Sequence, residues 1–148
     1  MTGSVTLAEA NTIITAALSR GRELDCTPLA VVVLDPGGHV VALQREDRSG
    51  ILRAEIATGK AYGSLGLRLP SRNLMARAES MPRLFDALAA VSDGRMVPVP
   101  GGVLIRRGDD VVGAVGVSGD TSDRDEDCAV AGITASGLTA DIESIEPR

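Results

Sequence analysis

The apolar positions of the chain follow two periods, and the switches between them divide it into elements. Thr6-Leu7-Ala8-Glu9 has the form of a capping box, and behind it Leu7, Ala10, Ile14, Ala17 and Leu18 recur at helical spacing. This predicts a helix over about residues 6–24, which Pro28 prevents from continuing. Leu29 to Leu34 is a short, apolar, β-branched run and reads as a buried strand. Asp35-Pro36-Gly37-Gly38 supplies turn residues, and His39 to Gln44 follows as a second strand, so the pair makes a hairpin. Ile51 to Leu67 reads as a helix with Ala54, Ala57, Ala61 and Leu65 on one face. Ser71 to Ala90 holds two short helices, with Pro82 suited to a first turn. Val97 to Gly102 is too rich in Pro and Gly for a central strand. Val103 to Arg106 and Val111 to Val117, joined at Gly108-Asp109-Asp110, form a second hairpin, and Ser122 to Leu138 a last helix. Hairpins require antiparallel pairing, so the expected class is α+β with an antiparallel sheet flanked by helices.

A chain of 148 residues without a linker or an internal repeat is expected to form one domain, 1–148. Folding at this length buries roughly 70% of the unfolded surface. One Tyr (Tyr62) and one Phe (Phe85), with no Trp, leave the core to Ala, Val, Leu and Ile. With 15 basic and 20 acidic residues the formal charge is −5. An acidic chain with almost no stacking residues lacks what nucleic acid requires and is not attracted to anionic membranes. No apolar run reaches the roughly 18 residues of a spanning helix. Met1 to Asn11 lacks a basic stretch followed by an apolar one, so the cytoplasm is the expected compartment. Cys26 and Cys128 stand far apart in sequence and read as buried free thiols.

The motifs exclude more than they assign. Gly59-Lys60 has no Walker A context, and Gly113, Gly116 and Gly119 are not spaced as a dinucleotide fingerprint. They read as a strand that another backbone or a ligand approaches closely. Asp123, Asp125 and Asp127 match the start of a calcium loop, but its sixth position is Cys128 and its twelfth Thr134, where Gly and Glu are needed. The segment therefore reads as the start of a helix, its acids favoured by the helix dipole and Asp123 with Glu126 as a capping arrangement. No metal site is expected. His39 is the only histidine and sits at a hairpin mouth, where it is either simply solvated or turned into a pocket. Arg45, in the cluster Arg45-Glu46-Asp47-Arg48, either belongs to a solvated loop or clamps a carboxylate through its planar fork. Lys60, in an otherwise apolar helix, pairs with an acid, faces a ligand, or carries its amine out to solvent.

Five segments together resemble the GlcG/HbpS family, whose members are also described as haem-degrading or DUF336 domains, and are similar to the C-terminal domain of PduO-type cobalamin adenosyltransferases. They are Val32 to Ala42, Ile56 to Ala61, Pro100 to Val103, Val112 to Gly119, and Asp125 to Gly132, spread over about residues 5–138. The resemblance implies a profilin-like fold and a homo-oligomer, often an octamer. It also implies a small-molecule ligand, with haem or a related tetrapyrrole as the candidate cofactor and slow haem breakdown as a candidate activity. Gly101, Gly102 and Gly116 fall in the shared segments and are expected to approach the ligand.

Three readings follow. In the first the chain binds a tetrapyrrole, and His39, its only imidazole, is the expected iron ligand, ahead of Cys26, Cys128 or a methionine. In the second it is a cofactor-independent lyase or isomerase acting on a small organic acid. There Arg45 anchors the substrate, and His39 with Glu55 or Lys60 moves protons. In the third it serves only as a module in an oligomer.

Overall fold

The computed structural model describes residues 3–142. Helix α1 (Leu7–Glu23) leads into strands β1 (Ala30–Leu34) and β2 (Val40–Arg45), then helices α2 (Arg53–Leu67), α3 (Ser71–Ser80) and α4 (Pro82–Val91). Strands β3 (Gly102–Arg107) and β4 (Asp110–Ser118), helix α5 (Ser122–Ala135) and strand β5 (Thr139–Asp141) complete the order. The five strands form one sheet, β2-β1-β4-β3-β5, with every pairing antiparallel. The class is α+β, as the two hairpins require. No helix among the described residues is long and apolar enough to cross a membrane.

β1 is buried along its whole length because it lies inside the sheet with a helical layer on each face. Its side chains alternate between two cores. Val31 and Val33 join Ile13, Ile14, Ala17, Cys128 and Ile133 beneath α1 and α5. Ala30, Val32 and Leu34 join Ala57, Ala61, Leu104 and Ala114 beneath α2. Cys26 and Cys128 are both free and buried on the α1/α5 side.

The element boundaries show which local signals operate. The capping box at Thr6 forms in full, and Pro82 occupies the first turn of α4. Leu7, on the expected apolar face of α1, is instead exposed, and Ile13 takes its place in the core. α5 starts at Ser122, as the sequence suggests, two residues earlier than an Asp123 cap requires. Thr121 is the N-cap, its hydroxyl accepting the Arg124 amide, so Asp123 lies inside the first turn. The same helix stops at Ala135, short of Leu138, because Gly137 turns the chain with φ +82 and β5 follows.

Glu9 ties α1 to the sheet. It accepts the Thr6 amide at 2.9 Å and takes both arms of Arg107 at 2.9 and 2.8 Å. The Arg107 hydrogen bonds are the main reason that its carboxyl is lowered from 4.5 to about 2. A lowered carboxylate pKa gives stabilisation that is complete above the unfolded-state value and lost as pH falls through the folded-state value. Thermal melts of Glu9→Gln should therefore show a lower Tm than the parent at pH 7, and the gap should close between pH 4.5 and 2. A gap that is the same at both ends of that window would contradict this role.

Candidate functional site

α2 packs across β1, β4 and β3 and only grazes β2, the edge strand. Val40 and Leu43 pair with Leu34 and Val32, whose side chains face α2, so they face the same way. With no helix above them they stay exposed, Val40 by 55%. The step between β2 and α2 is an open groove of 460 Å³. Leu43 forms one wall, and Ala54, Glu55, Ile56, Thr58 and Gly59 of α2 the other. Gly94, Arg95 and Val97 close the end.

Small residues build this groove. A side chain at Gly59 would strike Val97 and the Arg95 carbonyl, so only glycine lets the 95–97 segment lie on the helix, where the Val97 amide donates to the Gly59 carbonyl at 3.1 Å. Arg95 is fixed from two sides. Its Nε donates to the Ser92 carbonyl at 2.8 Å, and its guanidinium stacks 4.2 Å above the Tyr62 ring. Gly38, in the β1–β2 turn, abuts that ring from the hairpin side. Arg95 has no carboxylate partner among the described residues and remains exposed at the groove. The site thus offers an apolar wall, one positioned cation, and the Glu55 carboxylate at its rim.

Beneath α2 lies a buried ion pair. Lys60 Nζ donates to Asp125 Oδ2 at 3.0 Å and to the Val117 carbonyl at 2.9 Å, and Asp125 Oδ1 accepts the Asp120 amide at 3.0 Å. The two side chains are 3% and 1% exposed. Burial lowers the Lys60 pKa and raises that of Asp125, and each partner opposes the shift of the other. Among the three readings of Lys60, pairing with an acid is the one realised.

The residues expected from sequence are not gathered in one place. Glu55 lines the groove. Arg45 lines a different cleft, with Leu18, Arg22, Pro28, Glu46 and Asp47. His39 lines neither. Its side chain is 81% exposed above the hairpin turn, with Nδ1 3.3 Å from Asp35 Oδ1. Burial works against the Asp35 carboxylate, but the His39 and Gly37 amides and the His39 ring hold it below its usual range. That contact orders the turn. The approach expected at Gly102 and Gly116 is made by α2 itself, since a side chain at either would strike the Lys60 or Ala57 carbonyl. Gly101 faces the Lys60 amine and the Val117 carbonyl. Arg95 was missed because it stands in a stretch that reads only as a loop. Its one sequence signal is an arginine within the Asp93–Gly102 break. Among the described residues no group of three His, Cys, Asp or Glu could hold a metal ion.

Fold and groove define a small α+β domain with an open apolar recess between an uncovered edge strand and the helix beside it. Over residues 5–134 the chain matches the family described as haem degrading protein HbpS-like, and it belongs to that family. An uncharacterized 15.0 kDa protein of the dhaT-dhaS intergenic region of Citrobacter freundii is 30% identical over 82% of this chain and 84% of its own. The corrinoid adenosyltransferase PduO of the same organism is 24% identical over 89% of this chain, which spans 39% of that relative's length. Among solved structures, Klebsiella pneumoniae ORFY, a DUF336 protein, superposes with a TM-score of 0.82 at 25% identity, over 90% of each chain. A PduOC:heme complex has the same fold, with a TM-score of 0.83 at 22% identity over 91% of this chain and 96% of its own.

Removing one member of the Lys60–Asp125 pair leaves the other charged and unpaired in the interior, a change that costs about 3–5 kcal/mol. Lys60→Met should lower the urea midpoint accordingly, and Lys60→Met with Asp125→Leu should recover most of the loss. A Lys60→Met protein as stable as the parent would show that the pair does not hold α2 in place.

Proposed function

We propose that this protein binds a flat, largely apolar carboxylate, with haem or a related tetrapyrrole as the ligand class, in the groove between β2 and α2. The observation that carries this reading is Arg95, fixed over Tyr62 and without an acidic partner, at the end of a wall made of Leu43, Ala54, Ile56 and Val97. The volume lies within the usual range of small-molecule sites, and the open side leaves room for a ring edge to protrude. Membership of a family described as haem degrading supports the class of ligand, and slow breakdown of the bound ring is the finer reading. The wall and Arg95 fit the macrocycle and a ring carboxylate. The lining residues do not fit ligation of haem iron, which takes His, Cys, Met or Tyr.

Binding is favoured over acid–base catalysis on a small acid because Arg45, His39 and Glu55 do not share a cavity. We propose in addition that the chain is a homo-oligomer, with an octamer as the expected size. Support comes from apolar side chains left in solvent beside the groove, Val40, Ile51 and Leu52, and from α4, which buries none of its residues.

Titration with haemin should saturate at one equivalent per chain, and Leu43→Glu should weaken binding by about tenfold, or ~1.4 kcal/mol. Unaltered affinity in Leu43→Glu and in Arg95→Glu would remove the groove as the site. Light scattering should give a multiple of 15.2 kDa, and only the monomer mass at micromolar concentration would contradict assembly.

A further inference from the structure

We infer that the groove recognises the tetrapyrrole by its ring face and its carboxylates, and that none of the described residues supplies a ligand to the iron. The inference rests on the reading just given and narrows it: a metal-free porphyrin is as good a ligand as haem.

The placement of the side chains carries it. Strong protein ligands to haem iron are imidazole, thiolate, thioether and phenolate. None of the described residues lining the groove has such a group. The only imidazole, His39, lies over its own turn, bonded to Asp35 and outside the groove. Both thiols lie on the opposite side of the sheet, in the core under α1 and α5, where burial raises the pKa of each. Tyr62 turns its ring face to Arg95, packs against the hairpin turn, and is not part of the lining. Met96 is directed between α2 and α3, against Gly63.

What the groove does offer acts on the organic part of the ligand. The apolar wall takes the ring face by excluding water from it, at about 25 cal/mol per Å² of apolar surface removed. The Arg95 guanidinium presents N–H donors suited to a carboxylate. Neither interaction senses whether a metal fills the ring.

The test compares haemin with protoporphyrin IX on the full-length protein, by absorbance for the first and fluorescence for the second. The two dissociation constants should agree within about threefold, or ~0.7 kcal/mol. His39→Ala should change neither constant and should leave the haemin spectrum as in the parent, whereas Leu43→Glu should weaken both ligands in parallel. Haemin bound at least about tenfold more tightly than the metal-free ring, or a haemin spectrum altered in His39→Ala, would overturn the inference while leaving tetrapyrrole binding intact. Failure of both ligands to bind would overturn the binding reading itself, and this inference with it.

Discussion

The approach of α2 to the backbone of β3 and β4 is the constraint on which the rest of the structure depends. Carbonyls of α2 lie against Gly102 and Gly116, so at these two points the helix backbone seats directly on the sheet. Such contact requires glycine on the strands and small residues on the helix, and Ala57 and Ala61 supply the latter. Lys60 adds a polar tie, reaching from α2 to the Val117 carbonyl and Asp125 and coupling the helix to the end of β4 and the start of α5. The pair is fully hydrogen-bonded on the Asp125 side, which makes burial of the two charges tolerable.

The groove follows from this seating. A helix held that close to the middle of the sheet cannot also cover its edge. β2 therefore keeps its α2-facing side chains in solvent, and the step between strand and helix becomes a recess. Gly59 then lets the 95–97 segment fold onto α2, which brings Arg95 over Tyr62 and gives the recess its single positioned charge. The site is a by-product of tight packing next to it. Its shape is fixed by glycines, and its chemistry by a few exposed side chains.

Much of this was legible in sequence and part was not, for identifiable reasons. Helix and strand periods, the Thr6 box and Pro82 are local signals, and the elements they predict all appear. β5 was missed because three residues cannot display a period. The glycine-rich strand announced close approach but not by what, since a helix backbone and a ligand require the same absence of a side chain. Lys60 announced an unusual environment, but its partner lies 65 residues away and is chosen by topology alone. Chemistry-bearing residues at the two ends of β2, His39 at the hairpin mouth and Arg45 in a charge cluster, draw attention in the sequence. The fold turns one onto its own turn and the other into a separate cleft.

Fold and groove lining are therefore constrained by different residues. The glycines, the alanines of α2 and the Lys60–Asp125 pair are buried, and a change at any of them displaces backbone or strands a charge. Leu43, Glu55 and Arg95 are exposed, and substitution of exposed residues usually shifts stability by no more than about 0.5 kcal/mol. A chain can keep the first set, and with it the fold, while the second set drifts and alters what the groove accepts. This is why two proteins can superpose closely at 22% identity without the shared fold settling which side chains line the recess of either one. The side chains that line the recess decide that, and in this chain they are an apolar wall with Glu55 and the fixed Arg95 beside it.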